Sequence, residues 1–348
     1  MENKHQVRIP KVSVIIPTYN REDFLAEAIQ SVLDQTFRDL KIIVIDDGST
    51  DNTREVVDSF KDPRIKYIYQ ENQGVCIARN TAVNNSNSEY IAFLDSDDVL
   101  LKEAIEKEVH VLDEYPEAGL GYGQAYLIDT GGRVFGLYKH YLKYSCIRTG
   151  SDVIKEFLIH GYSIPSPTIM TRRSCLNEVG LYSPDFHHGS EDFDLMVRLC
   201  KNYTVVYIAE PLAKYRVHAT NQSSGHALEE RERSNSRILE SIFNDAELGT
   251  SMYYHRSKAY FHLYRVLAYD AYSSRQMKTA RRYILKAIRV HPKGFLKGFD
   301  LLLVLLFIKT LLPLSLLSIA SRAKSYLYRS TKRFSKGHAI LTGVIRNA

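Results

Sequence analysis

The 348-residue chain holds 46 Lys and Arg against 40 Asp and Glu, with 45% hydrophobic residues, a balance that suits a folded protein and excludes an extended disordered one. The net charge of +6 hides a division: residues 1–224 carry 24 cationic and 32 acidic side chains, residues 225–348 carry 22 and 8. The four cysteines are scattered, with no Cys-x-x-Cys pair, which argues against a zinc site or disulfide framework and fits a reducing compartment.

The polar start, Met1–His5, has no apolar leader region, so the acidic part is expected in the cytoplasm. Val12–Ile16 reads as a strand buried on both faces, stopped by Pro17-Thr18-Tyr19-Asn20. Glu22–Leu33 follows with helical spacing of Phe24, Leu25, Ala28, Ile29 and Val32, Asn20 being a plausible cap. Ile42–Ile45 is a second buried strand, ending in Asp46-Asp47-Gly48-Ser49-Thr50-Asp51. A helix through Val56, Val57 and Phe60, a strand Ile65–Tyr69, a polar turn Glu71–Gly74 and a helix Val75–Val83 come next. Tyr90–Leu94 is the fourth apolar run, and it leads directly into Asp95-Ser96-Asp97-Asp98.

Strands alternating with helices predict an α/β fold, a doubly wound and mostly parallel sheet with helices on both faces. In such sheets ligands bind outside the carboxyl ends of the strands. The polar clusters Pro17–Asn20, Asp46–Asp51, Glu71–Gly74 and Asp95–Asp98 all sit there. Ionised carboxylates are costly to bury unpaired, so Asp95–Asp98 point to a hard divalent cation, Mg2+ or Mn2+. A turn of solvated acids is the alternative that these residues alone leave open. No Gly-x-Gly-x-x-Gly follows the first strand and no Walker-type loop is present, which disfavours nicotinamide and P-loop chemistry.

Val12–Asn20 (VSVIIPTYN), Val44–Asp51 (VIDDGSTD), Asn72–Asn80 (NQGVCIARN) and Phe93–Asp98 (FLDSDD) resemble the family 2 glycosyltransferases of the GT-A fold. The resemblance continues through Glu191–Leu195 and Tyr215–His218, and so covers about two-thirds of the chain. It implies an inverting, metal-dependent transfer from a nucleotide-diphosphate sugar, usually a UDP-sugar. It also implies roles for particular residues. Pro17, Thr18 and Tyr19 would shape the base pocket, Asp47 with Asp46 would receive the base, and Gly74, Arg79, Asp95 and Ser96 would lie along the donor. Asp97 would be the direct metal ligand, with Asp95 on the ribose or on metal-bound water, and His218 would complete the metal shell or order a closing loop. The general base would come from Glu191 and Asp192, with Asp192 favoured. From the residues alone, that pair reads first as acids complementing a helix start and His218 first as a structural histidine, while a helix-face ion pair is the alternative for Arg79. Asp194 suits a partner for Arg198, Asn221–Gly225 a mobile lid, and Pro165–Pro167 the acceptor side.

Three regions are expected: a catalytic domain over 1–224 (nucleotide-sugar half about 1–100, acceptor half about 101–224), a helical hairpin region over 225–295, and an apolar, basic tail over 296–348. Leu301–Ala320 is interrupted by Lys309 and Pro313, too marginal for a clean span. With Arg322, Lys324, Arg329, Lys332, Arg333 and Lys336 behind it, it suits an anionic membrane surface, packing on the catalytic domain being the alternative. The expected partners are then a nucleotide-sugar donor, a glycan or lipid-linked saccharide acceptor and the inner face of the cell membrane, with no nucleic acid. A haloacid-dehalogenase-type phosphatase using Asp95 and Asp97 is the rival enzyme. A non-catalytic sugar-binding scaffold is the rival without chemistry.

Overall fold

All seven residues of β1 (Val12–Thr18) are buried, as a strand covered on both faces requires. The structure, a computed structural model, describes residues 8–138, 142–186, 189–218 and 227–292, together with 306, 308 and 310. In the first part of the chain the order continues with α1 (Glu22–Leu33), β2 (Leu40–Asp46), α2 (Thr53–Ser59), β3 (Ile65–Tyr69), α3 (Val75–Asn84), β4 (Tyr90–Phe93) and the short β5 (Val99–Leu100). Then come α4 (Ala104–Glu114), β6 (Ala118–Ile128), β7 (Val134–Tyr138), β8 (Cys146–Arg148), α5 (Gly150–His160), β9 (Ile169–Arg172), α6 (Arg173–Val179), α7 (Glu191–Asn202) and β10 (Thr204–Arg216).

The strands form one sheet in the order β3-β2-β1-β4-β9-β6-β10-β5, with β7 beside β6 and β8 beside β10. The β3-β2-β1-β4 portion is parallel throughout, β9 runs antiparallel to both β4 and β6, and β6 and β10 are again parallel. The α/β reading is therefore right, with a mixed, mostly parallel sheet flanked by helices. Val14 and Ile16 of β1, Leu25 and Ile29 of α1 and Ile42 and Val44 of β2 share one apolar cluster. Helix α3 packs on β1 and β2.

Two local expectations are corrected. Strand β1 does not stop before Pro17 but runs through it to Thr18, paired with Ile45 and Asp46 of β2. Its pairing with β4 ends at Ile15, so the missing Pro17 N–H removes no ladder bond. Asn20 does not cap α1. It adopts a left-handed φ of 51°, and its Oδ1 accepts from the Thr50 amide at 2.8 Å. The helix start is instead served by Asp51 of the next loop, whose Oδ2 accepts from the Glu22 amide at 3.2 Å, while Glu22 Oε2 accepts from the Asn52 amide at 2.9 Å. Gly48 allows that loop its shape: φ is +86°, and a Cβ there would meet the Asn72 amide nitrogen at 2.8 Å.

The chain divides into two compact units, one within Met1–Ile154 and Ser163–His218, the other within Lys155–Tyr162 and Ala219–Ala348. The second contains α8 (Leu228–Phe243), α9 (Gly249–Met252), α10 (Arg256–Ser273) and α11 (Met277–Val290). Leu267, Ala268 and Ala271 of α10 share a core with Ala280, Tyr283, Ile284 and Ala287 of α11, and Arg231 of α8 pairs with Asp270 at 2.6 Å. Among the described residues no helix is long and apolar enough to cross a membrane. Asn221–Gly225, the basic positions 322–336, and Leu301–Ala320 apart from Leu306, Ile308 and Thr310, lie outside the described residues.

Candidate active site

The tips of β1 and β2 carry the first group of candidates. Thr18 is buried, and its hydroxyl has no hydrogen-bond partner among the described residues. Tyr19 beside it is half exposed. Asp46 is buried with both oxygens engaged: Oδ1 accepts from the Ser49 amide at 2.8 Å and Oδ2 from the Tyr67 hydroxyl at 2.7 Å. Asp47 is held as firmly. Its Oδ1 accepts from Gln70 Nε2 at 2.7 Å and the Gln73 amide at 2.9 Å, and its Oδ2 from the Gly74 amide at 2.9 Å. Gly74 takes φ +89° at the start of α3. Asp47 thus fastens the loop after β2 to the loop after β3, and Asp46 ties its own loop to strand β3.

At the tip of β4 the chain turns so that Asp95, Asp97 and Asp98 meet different partners, while Ser96 is buried among them. Asp95 Oδ1 accepts from Arg79 Nη2 at 2.8 Å, and its Oδ2 accepts from Ser166 Oγ at 3.1 Å. The Pro165–Pro167 stretch therefore reaches the strand-end acids directly. Asp97 Oδ2 lies 2.8 Å from His218 Nε2, and His218 stacks on Phe24 with ring centroids 5.4 Å apart. Asp98 is buried and accepts from the Arg216 amide at 2.8 Å. Burial, reinforced by Asp97 and Asp95, pushes its carboxyl well above the usual range.

Arg216, which the sequence reading passed over, holds this region together. Its buried guanidinium donates to the Asp97 carbonyl at 2.7 Å and to the Asp129 and Thr130 carbonyls at 3.2 Å each. It also pairs with Glu27 and lies 4.9 Å from the Phe24 ring centre. A cation buried in this way is satisfied only with such a partner set.

The second group gathers around Arg79, whose side chain is 3% exposed. Its Nη1 is 3.1 Å from Asp192 Oδ1 and 3.9 Å from Glu191 Oε1, and Nη2 binds Asp95. One guanidinium thus joins the tip of β4 to the start of α7, and three carboxylates share it. The exposed helix-face ion pair is excluded for Arg79. A signal for this lay in the sequence, since Cys76, Arg79 and Val83 fall on the buried stripe of α3 at helical spacing. Tyr182, also missed, lies under the guanidinium with its ring centre 4.9 Å away. Asn80 clamps it, accepting from the Tyr182 amide at 3.0 Å and donating to its carbonyl at 2.8 Å. Nothing in the spacing around Tyr182 marks it.

Electrostatics separate the two acids at the start of α7. Burial pushes Asp192 up to about 6, Glu191 and Asp95 act in the same direction, and Arg79 opposes them. Burial also raises Glu191, opposed by Arg79, and Glu191 Oε2 is occupied by the Gly189 amide at 2.8 Å. Asp192 is the more exposed, at 15% against 4% of the side chain. Asp194 is turned to Arg198, with Oδ2 at 2.7 and 2.9 Å from two guanidinium nitrogens. Among the described residues no group of three or more His, Cys, Asp or Glu is arranged to hold a metal unaided.

Residues 13–180 match the family described as glycosyl transferase family 2. An uncharacterized glycosyltransferase of Rickettsia prowazekii is 30% identical over 244 residues, 69% of this chain and 74% of the relative. A Bacillus subtilis glycosyltransferase, TuaG, named for teichuronic acid biosynthesis, is 42% identical over 218 residues, 62% of this chain and 82% of its own. Among solved structures, S. aureus TarS in complex with UDP-GlcNAc aligns with TM-score 0.62 at 19% identity, covering 93% of this chain and 94% of that one. The mannosyltransferase PcManGT of Pyrobaculum calidifontis, in complex with GDP-Man and Mn2+, aligns with TM-score 0.55 at 15% identity over 87% and 85%. At these identities the structural likeness speaks for the fold.

Proposed function

The chain belongs to glycosyl transferase family 2, and from that premise we propose that it is an inverting glycosyltransferase, moving a sugar from a nucleotide-diphosphate donor to a hydroxyl of an envelope glycan or lipid-linked saccharide. The observation that carries this reading is the cluster at Arg79. It brings Asp192, raised to about 6 and partly exposed, against the strand-end Asp95, which stands two residues from Asp97. Family membership sets aside the phosphatase reading of Asp95 and Asp97.

In this mechanism the loops after β1 and β2 receive the nucleotide, outside the carboxyl ends of the strands. Asp46 and Asp47 hold the walls of that pocket. The diphosphate lies at the tip of β4. Asp192 takes the proton from the acceptor hydroxyl while its oxygen attacks the anomeric carbon and the bond to the diphosphate breaks on the opposite face. A carboxylate raised to about 6 is ionised at neutral pH and still basic enough for that transfer. Glu191 and Arg79 orient it.

The donor atoms present fit a divalent cation. Mg2+ and Mn2+ sites of this type use one or two carboxylates with substrate phosphates rather than a complete protein cage. Asp97 Oδ2 would supply the carboxylate atom and His218 Nε2, hydrogen-bonded to it at 2.8 Å, an imidazole nitrogen beside it; Asp95, held by Arg79 and Ser166, would act through water. When bound, the cation supplies Lewis-acid neutralisation of the departing diphosphate.

A UDP-sugar is the favoured donor, supported by the UDP-GlcNAc held by TarS, and an envelope polysaccharide the favoured product, supported by the name of TuaG. We assign 1–224 to catalysis, 225–295 to a helical region and 296–348 to docking on the anionic inner face of the cell membrane, supported by the 9 cationic residues against 1 acidic residue in that last segment. Calorimetry with UDP and GDP, with and without Mn2+, tests the donor site. Binding of neither nucleotide in the presence of Mn2+ would remove the proposal.

A further inference from the structure

Two groups that carry positive charge, or acquire it on protonation, approach the same oxygen of Asp97. His218 Nε2 stands 2.8 Å from Oδ2, and Arg21 Nε stands 3.8 Å from it. Arg21 is anchored at the start of α1. Its amide lies 3.3 Å from Thr53 Oγ1, and its carbonyl accepts from the Phe24 and Leu25 amides at 3.2 and 3.1 Å. Asp97 is anchored too, through the Arg216 bond to its carbonyl. The two side chains are 24% and 13% exposed, so water screens their attraction only in part.

This arrangement conflicts with a cation arriving alone. A divalent ion on Asp97 would lie within a few ångströms of the guanidinium. A guanidinium does not lose its proton, so Arg21 keeps its charge beside the ion. The conflict ends once anionic diphosphate oxygens are available to both cations. Arginine, with its planar fork, is suited to phosphate oxygens.

We propose that Arg21 couples the metal to the diphosphate. Without donor it holds Asp97 in place and opposes a lone cation; with donor it turns to the diphosphate and favours the cation beside it. Metal and nucleotide then bind cooperatively, each raising the affinity of the other by the same factor. This rests on the metal-dependent donor site proposed above and adds to it a residue and a coupling between its two ligands.

The test is calorimetry of wild type, Arg21→Gln and Arg21→Lys with Mn2+ alone, and with UDP and GDP in the presence and absence of Mn2+. Arg21→Gln is expected to bind Mn2+ alone several-fold more tightly than wild type. Its affinity for the nucleotide in Mn2+ is expected to fall roughly tenfold to a hundredfold, the range for losing one charge-assisted hydrogen bond. A merely structural role would weaken both and leave their coupling unchanged. Wild-type coupling in Arg21→Gln, or weaker binding of Mn2+ alone, overturns the proposal while leaving the donor site standing. A wild type that binds neither nucleotide with Mn2+ removes the site and Arg21's role together. Should Arg21→Gln fail to fold, Arg21→Lys decides. Unchanged Mn2+ affinity with nucleotide binding several-fold weaker supports the proposal, and wild-type nucleotide affinity overturns it.

Discussion

The acids at the tip of β2 and those at the start of α7 are of the same chemical type and stand in opposite circumstances. Asp47 accepts three hydrogen bonds, from the Gln73 and Gly74 amides and the Gln70 side chain, and Asp46 accepts two. Asp192 shares a single guanidinium with Asp95 and Glu191, and burial pushes it up to about 6. Carboxylates bonded on both oxygens make rigid walls. A carboxylate with too little positive charge beside it keeps its appetite for a proton. The molecule thus separates holding from reacting by how generously each acid is partnered.

The sharpest way to break this comparison is to remove the proton acceptor alone. Asp192→Asn is nearly isosteric and should keep nucleotide binding within about twofold, while transfer falls by roughly a hundredfold to ten-thousandfold, the range for a lost general base. A donor-transfer assay beside calorimetry checks it. Near-wild-type transfer would reassign the base. Arg79→Met asks the same of the shared cation. It leaves three carboxylates around an apolar side chain and should destabilise the fold by about 3–5 kcal/mol, the usual cost of stripping one partner from a buried charge cluster. Urea unfolding at pH 7 reads this directly. If the variant is as stable as wild type, the cluster does not depend on Arg79.

The pH dependence sharpens the comparison further. The folded value for Asp192 lies above the ordinary carboxylate one, so its contribution to stability is fully present below that ordinary value and is lost as pH rises through about 6. Activity has the opposite slope, because the base works ionised. The acid limb of kcat/KM should bend near 6 and fall about tenfold per unit below it. A limb bending near 4 would mean that Asp192 titrates as an ordinary carboxylate.

Much of this was legible in the sequence. The bounds of α1 and β3 agree with the pattern because buried apolar runs and helical stripes are local signals. The strand-end acids were legible as a group because a buried strand cannot finish in carboxylates without a reason. What local pattern misses is partnership at a distance. Arg216 meets the Asp97 carbonyl across 119 positions and Arg79 meets Asp192 across 113, and no window of periodicity spans either. Asn20 fails as a cap for a related reason: the amide it would serve is taken by Asp51, 29 residues on from Glu22. Tyr182 became visible only when the fold set its ring under Arg79.

The smallest effect is expected where the partners are most numerous. Tyr67→Phe removes the hydroxyl from Asp46 Oδ2 and leaves the Ser49 amide on Oδ1. One charge-assisted bond is lost at a buried carboxylate, for about 1.5–3 kcal/mol of stability. The phenyl ring still packs against the core cluster that Tyr67 joins. Because Asp47 keeps all its bonds, the pocket wall should stand, with nucleotide affinity changed by less than about threefold. A loss of nucleotide binding as large as that of stability would mean that Asp46 does more than brace the loop, bringing the β2 tip closer in kind to the start of α7.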